Sequence, residues 1–305
     1  MLREVLEVLD PQPGEFAVDC TVGLAGHAVE LLTRVGLSGM LLGLDCDGEH
    51  ADRSRERLAA TGLTFKLVQS NFAALPTVLA AAGIDGADIV LADLGMSSMQ
   101  VDDASRGFSY VREGPLDMRM DRSRGRTAAD LIAKITESEL AQLLREFGDE
   151  PSADEIARAI IAARGRAAIR STVELARVVA EAVGQPASRD EGWRLHPTQS
   201  RWNTHPAARA FQALRLAVNR ELANLTELLR VLPSCLRSGG RAAIISFHSG
   251  EDRLVKESFR DGERAGWYSD GGGPLRATEA EKLANPRARS AKLRWVAASS
   301  TIGPR

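Results

Sequence analysis

Between Phe16 and His27 the chain reads F-A-V-D-C-T-V-G-L-A-G-H. An apolar run closes in a turn of small residues, and Ala28-Val29-Glu30-Leu31-Leu32 then has the pattern of a helix. A strand feeding a helix through Gly23 and Gly26 lets the backbone come close to a ligand. The start of such a helix also presents N–H groups that no helix carbonyl satisfies. A second apolar run, Met40 to Leu44, ends in Asp45. An acid at the end of the second strand is placed to hold two ribose hydroxyls. The turn alone is shared by many tight connections, but turn and acid together read as a nucleoside-cofactor site.

The pattern continues as alternating strands and helices. Strands are expected at Phe16–Val22, Met40–Asp45, Phe65–Gln69 and Asp88–Leu94, with helices between them. Strand interiors are apolar on both faces, which predicts an α/β fold: a mostly parallel, doubly wound sheet covered by helices. After Gln100 the alternation stops. Residues 101–128 are polar and rich in Arg and Asp, and three helices then open on capping boxes, Thr136/Glu139, Ser152/Glu155 and Ser171/Glu174. Gly148, Gly165 and Gly184 are expected at their ends. Pro206 is suited to the first residue of a long helix reaching Leu232. A fifth strand is expected at 241–247, a short helix at Gly250–Arg260 and a last strand at 291–298. Three consecutive glycines from Gly271 predict a loose segment over 261–281. The expected organisation is a core formed by 1–104 and 205–305, interrupted by an all-helical insertion over 105–204.

Composition narrows the function. The 305 residues are 44% apolar, enough for a full core, and the formal net charge of −2 excludes a chain that is basic as a whole. Cys20, Cys46 and Cys235 form no C-x-x-C pair, and neither they nor the histidines have metal-ligand spacing. No signal peptide or membrane-length apolar run is visible, so a cytoplasmic protein is expected. Positive charge gathers at the end: from Lys282 onward there are six Lys or Arg and no Asp or Glu. A basic segment bearing Trp295 suits a phosphate backbone with a stacked base, or equally a charge-protected sheet edge.

Three strand ends carry acids: Asp19, Asp45 and Asp93. In an open parallel sheet, ligands bind at the carboxyl ends of the strands. Asp93-Leu94-Gly95-Met96-Ser97-Ser98 falls where a reacting group would meet a cofactor, which makes Asp93 and Ser97 catalytic candidates. His248, in S-F-H-S at the end of strand five, is a third, with a purely structural histidine as the alternative.

Six segments in order carry a family resemblance: D-L-G-M-S-S, R-G-F-S-Y, G-P-L-D-M-R-M-D, H-P-A-A-R-A-F-Q-A-L-R, I-I-S-F-H-S-G-E-D-R and N-P-R-A-R-S-A-K-L-R. From about residue 14 to 296 the chain resembles the bacterial 16S rRNA (cytosine-N4)-methyltransferase family, of RsmH (MraW) type. The resemblance implies a class I methyltransferase fold with a helical insertion and S-adenosyl-L-methionine as cofactor. It implies 16S rRNA in the small ribosomal subunit as partner, and no metal. Oligomeric state stays open, a homodimer included. The family's cofactor contacts fall on Ala25, Gly26, His27, Asp45, Phe72, Asp93 and Gln100.

The chain departs from the family pattern in places. Ala25 stands where the family has Gly in its turn, Gly250 where it has Leu, and Met99 where it has Pro. The His-containing opening segment of the family is absent. Two other readings stay open on the residues alone. A nicotinamide-dependent dehydrogenase shares the strand, turn and acid, although G-x-G-x-x-G is missing. A non-catalytic rRNA-binding or assembly factor would tolerate Ala25.

Overall fold

The computed structural model describes residues 1–184 and 205–300. By packing, the chain forms two compact units, Met1–Gly95 with Leu222–Arg305, and Met96–Glu221.

The first unit is built on one seven-stranded sheet: β1 (Phe16–Asp19), β2 (Met40–Asp45), β3 (Phe65–Gln69), β4 (Ala87–Asp93), β5 (Leu236–Ser246), β6 (Tyr268–Arg276) and β7 (Lys292–Ala298). Their order is β3-β2-β1-β4-β5-β7-β6. The first five in that order are parallel; β7 runs antiparallel to both neighbours. The strands alternate as a doubly covered sheet requires. Phe16, Val18, Leu42, Leu44 and Val90 pack into one buried cluster with side chains of α4 (Leu75–Ala81), α11 (Glu221–Cys235) and α12 (Ser249–Arg264). Ala17, Leu41, Ile89 and Leu91 point the other way, into a cluster with α1 (Leu2–Leu9), α2 (Gly26–Val35) and α3 (Gly48–Ala59). This is a doubly wound, mostly parallel sheet with helices on both faces.

Sheet order reverses between β1 and β4. The chain moves outward through β2 and β3, then returns to lay β4 on the other side of β1. At such a switch point the loops leave a crevice at the carboxyl ends of the strands. Asp19 and Asp93 end the two strands that flank it.

The second unit contains α5 (Ser98–Asp102), α6 (Ala128–Lys134), α7 (Glu137–Gly148), α8 (Ala153–Arg166), α9 (Thr172–Ala182) and α10 (Ala208–Asn219). Its own core includes Leu116, Met118, Ile132, Leu140, Leu144, Ile156, Leu175 and Leu214. Helices α7 and α9 have the expected capping boxes. At α8 the Ser152 side chain makes no cap bond; Ser152 N–H instead donates to Glu150 Oε1 at 3.0 Å. A helix the capping pattern did not announce, α6, has its own reciprocal cap from Thr127 and Asp130.

Other boundaries shift for identifiable reasons. The long helix expected from Pro206 breaks at Arg220, which adopts φ 52° and separates α10 from α11. The segment expected to be loose over 261–281 is ordered instead: α12 runs through Arg264 and β6 pairs with β7. Its glycines are a packing requirement. A Cβ at Gly272 would lie 2.9 Å from Trp295 Nε1, and one at Gly273 2.5 Å from Leu293 O.

Two of the expected helix-end glycines are helical residues, and their surroundings predict opposite responses to Ala. In α7 a Cβ on Gly148 would stand 2.8 Å from the backbone oxygen of Arg209 and 3.3 Å from Ala213 Cβ. In α8 a Cβ on Gly165 meets nothing within 4 Å. Helix propensity alone favours Ala by about 0.8–1 kcal/mol at either site. Overpacking against a backbone atom costs about 1–3 kcal/mol and outweighs it at Gly148. Denaturant titration should therefore show Gly165→Ala stabilised by roughly 0.5–1 kcal/mol and Gly148→Ala destabilised. Equal shifts for the two variants would contradict the packing assigned to α7 and α10.

Candidate active site

The carboxyl edge of the sheet gathers acids from β1, β2 and β4. Asp19 is 1% exposed. Its Oδ1 accepts the Thr21 N–H at 3.0 Å, and its Oδ2 is buried with no hydrogen-bond partner. Thr21 in turn accepts the backbone N–H of Asp93 on its Oγ1 at 2.7 Å, which fastens the end of β4 to the turn after β1. Asp93 Oδ1 is also buried without a partner, and its Oδ2 lies 3.5 Å from His27 Nδ1. Burial drives both carboxyls upward, to about 7. At Asp19 the neighbouring Asp93 and Asp45 charges add to the effect; at Asp93 the N-terminal ammonium opposes it while Glu251 and Glu281 add to it. His27 is pushed down to about 4 by burial, helped by the N-terminal ammonium, so its ring is neutral at pH 7. Its separation from Asp93 is therefore a polar contact between a neutral ring and a carboxyl, not an ion pair.

Asp45 ends β2 and does two things. Its Oδ2 accepts the Gly23 N–H at 2.8 Å, which pins the small-residue turn, and its Oδ1 accepts the Asp47 N–H at 2.8 Å. His50 Nδ1 reaches the same Oδ2 at 3.2 Å. An ionised carboxylate has about four acceptor sites, so these contacts leave room for a further hydroxyl. Asp47 caps α3 through Glu49 N–H, and one turn into that helix places His50 back against Asp45. Sequence reading missed Thr21 and His50. The visible signal for His50 was D-x-D-x-x-H, a strand-end acid, a helix cap and a residue three beyond it.

The turn itself resolves the question raised by Ala25. Ala25 takes φ 60°, the left-handed conformation that Gly would adopt more cheaply. Its methyl is fully buried in the cluster formed by α2 and the sheet, so it does not project from the turn. Gly26 begins α2, and a Cβ there would meet nothing within 4 Å. The turn thus offers open space beside the unpaired N–H groups of a helix start. Phe72 opens a short 3₁₀ turn directly after β3, capped by Asn71, and is partly exposed.

His248 sits at the end of β5 as the cap of α12. Its Nδ1 accepts the Glu251 N–H at 3.4 Å, its Nε2 stands 3.1 Å from Glu251 Oε1, and Glu251 Oε2 accepts the Phe247 N–H at 2.8 Å. Ser97 and Gln100 belong to the second unit. Ser97 Oγ accepts the Gln100 N–H at 3.2 Å, and Gln100 Oε1 accepts the Ser97 N–H at 3.0 Å, a reciprocal cap on α5. The first unit therefore brings together Ala25, Gly26, His27, Asp45, Phe72 and Asp93 on one sheet edge, with Asp19 added.

Residues 1–299 match the model of the MraW methylase family. The chain belongs to that family. Its relatives include proteins named Ribosomal RNA small subunit methyltransferase H. The one from Solidesulfovibrio magneticus is 44% identical, over 96% of this chain and 93% of its own length. The one from Anaeromyxobacter sp. is 45% identical, over 97% and 96%. A solved structure described as a putative rRNA-methylase from Clostridium thermocellum aligns over 97% of this chain and 95% of that one, with a TM-score of 0.47 at 10% identity.

A methylase needs a site for S-adenosyl-L-methionine, and the residues present fit that group. It is a cation through its sulfonium and its α-ammonium, and it carries a ribose. Two buried, partnerless carboxylate oxygens at Asp19 and Asp93 call for positive charge nearby, since a buried unsatisfied acid is otherwise costly. Asp45 retains acceptor capacity for a ribose hydroxyl, and Gly26 leaves the space to reach it. Among the described residues no helix is long and apolar enough to cross a membrane.

The raised Asp19 carboxyl makes stability depend on pH. Its ordinary value is 3.8 and its folded value about 7. The folded state therefore holds more protons between those values, so this contribution is fully present below pH 3.8 and is lost as pH rises through 7. Replacing Asp19 with Asn removes the penalty. In the cofactor-free protein, thermal melts of Asp19→Asn should exceed the parent at pH 8, by on the order of 2 kcal/mol. The gap should narrow toward pH 4. A constant gap across that range would show that Asp19 is ionised throughout.

Proposed function

We propose that this protein transfers a methyl group from S-adenosyl-L-methionine to the exocyclic N4 amine of a cytidine in the decoding region of 16S rRNA. On this reading it works in the cytoplasm on the small ribosomal subunit. The observation that carries the reading is the acid cluster at the β1–β4 switch point in a chain of the MraW methylase family. The names of the relatives direct it to small-subunit rRNA.

When bound, S-adenosyl-L-methionine supplies an electrophilic methyl group and a neutral leaving group, so the displacement needs no metal. The difficulty lies with the nucleophile. The N4 lone pair is conjugated with the cytosine ring, and attack requires it to rehybridise while the N–H becomes acidic. A preorganised acceptor on that N–H stabilises the transition state more than the ground state. Asp93 is that acceptor. At its folded value of about 7, the carboxyl is substantially ionised at neutral pH and basic enough to accept a proton. Neutral His27, 3.5 Å away, orients it without lowering its basicity as an imidazolium would. Asp45, which already pins the turn, would hold the ribose, Gly26 would leave space for the methionine portion, and Phe72 would lie at the adenine end.

Gln100, a cofactor contact on the family resemblance, and Ser97, a catalytic candidate by its place after β4, cap each other at the start of α5. His248 we assign a positioning role, holding the start of α12 at the end of β5. The target base must leave its stack to present N4. The basic tail contributes less free charge than its composition suggested. Lys292 and Arg294 both bind Asp252 at 2.8 Å, and Lys282 binds Glu279 at 2.7 Å.

Two substitutions separate chemistry from binding. With saturating cofactor, Asp93→Asn should lower the single-turnover rate by about 10²–10³. The parent rate should fall toward acid pH as the carboxyl protonates, at a pH below the cofactor-free value of about 7 because the bound cation favours the carboxylate, and the variant should lose that limb. A variant with the parent's rate and the parent's pH profile would move the acceptor elsewhere. Asp45→Ala should weaken cofactor binding by about 1.5–3 kcal/mol, the range for a bond to a charged group. Isothermal titration reads this directly, and unchanged affinity would remove Asp45 from the ribose.

A further inference from the structure

The second unit contains a short arginine-rich loop whose backbone is held far more firmly than exposed loops require. Residues 119–126 read R-M-D-R-S-R-G-R, four Arg against one Asp. Immediately before them, Met118 is fully buried and adopts φ 62°. A non-glycine residue held in the left-handed region costs on the order of 1–3 kcal/mol and persists only where its surroundings enforce it. Asn219, at the end of α10, enforces it. Its Nδ2 donates to Met118 O at 2.7 Å, and its Oδ1 accepts the Met120 N–H at 2.7 Å. Arg106 reinforces the clamp from a buried position, donating through Nη2 to Arg119 O at 3.1 Å and Met120 O at 2.9 Å.

The side chains divide into anchors and presented groups. Arg119 is an anchor: its guanidinium forks onto Asp117 at 2.7 and 3.0 Å. Beyond it, Arg122, Arg124 and Arg126 are exposed. Arg124 shares Asp121 at 2.7 Å and Arg122 stands 3.9 Å from Asp117, while Arg126 has no ion pair among the described residues. From Asp121 to Arg126 no aromatic or aliphatic side chain intervenes. A rigid backbone that displays planar, weakly hydrated cations with no apolar surface suits phosphate oxygens rather than bases or an apolar protein face.

We propose that the 119–126 loop is a docking site for the sugar–phosphate backbone of the substrate RNA, with Arg122, Arg124 and Arg126 as its phosphate contacts. The assignment rests on the reading that the substrate is rRNA. The strain at Met118 and the clamp from Asn219 fix the loop in advance, so little ordering cost remains when RNA arrives.

The test uses the full chain and small ribosomal subunits carrying unmethylated 16S rRNA. Binding is measured over a salt series for the parent, for the triple substitution of Arg122, Arg124 and Arg126 to Ala, and for the same three changed to Lys. The Ala variant should bind on the order of tenfold more weakly, and its log K against log salt slope should fall by about 2. The Lys variant should recover the slope. Cofactor affinity and melting temperature should match the parent in both, because these side chains are exposed. In turnover the Ala variant should raise KM for the subunit and leave kcat unchanged, as expected of contacts that position rather than react. A parental salt slope in the Ala variant, or a Lys variant as shallow as the Ala variant, overturns the loop assignment. Methyl transfer by the parent itself tests the proposed function separately, since the binding series does not depend on it.

Discussion

The site depends on one hydrogen bond between neighbouring strands. Where β1 ends, Cys20 N–H continues the ladder to Leu91 O at 2.8 Å, and one residue later the Thr21 hydroxyl takes over by accepting the Asp93 N–H. On the far side of β4, Leu94 N–H reaches Ile245 O at 3.0 Å. The end of β4 is thus held from both sides just where the sheet changes direction. That hold fixes the buried Asp19 carboxyl and the half-buried Asp93 carboxyl on the same edge of the sheet. Without it, mutual repulsion and the cost of burial would favour a carboxylate swinging toward water. The strain is electrostatic, and a cation relieves it, which is why the same geometry that destabilises the acids selects a cationic cofactor.

Much of the sheet was legible because strand interiors must be apolar on both faces when helices cover them. β2 and β3 fall on the residues expected, and β4 is displaced by one. Helix caps were legible where a side chain can reach its own backbone, as at Thr136 and Ser171. What escaped were features set by distant parts of the chain. Gly148 reads as a helix terminator until Arg209 O is found against it. Gly271 to Gly273 read as loose until Trp295 and the backbone of β7 are laid over them. Glycine marks either freedom or crowding, and only tertiary packing tells which.

The site was legible to the extent that it follows from topology. Acids at the ends of strands one, two and four must share an edge if the sheet is parallel, so Asp19, Asp45 and Asp93 could be grouped in advance. Their division of labour could not. Asp45 proves to be a structural pin for Gly23 as well as a candidate ribose ligand, because its two oxygens face different loops. His248 looked like a site residue from its strand-end position, yet its nearest partners are in the first turn of the helix it caps. Ala25 looked like an obstacle because a methyl replaces hydrogen in the turn. Its left-handed backbone directs that methyl into the core, and the obstacle becomes a modest conformational cost of about 1–2 kcal/mol.

Charge sets a last constraint on how such a chain can work. The formal net charge is −2, and the cofactor edge is acidic. That edge suits a sulfonium and an ammonium but repels phosphate, so an RNA substrate cannot be gripped by the groups that hold the cofactor. Cationic surface has to be supplied elsewhere, and it has to survive neutralisation by the chain's own acids. Many arginines do not: Arg241 forks onto Glu15, Arg215 pairs with Glu221, and Arg237 with Asp88. These ion pairs fasten the fold and are lost to recognition. Arg122, Arg124 and Arg126 are exposed on backbone that other residues have fixed, and they stay open to solvent even where an acid is near, as Asp121 is to Arg124. Near-balanced composition therefore says little about where cations are displayed, because folding decides which of them face solvent.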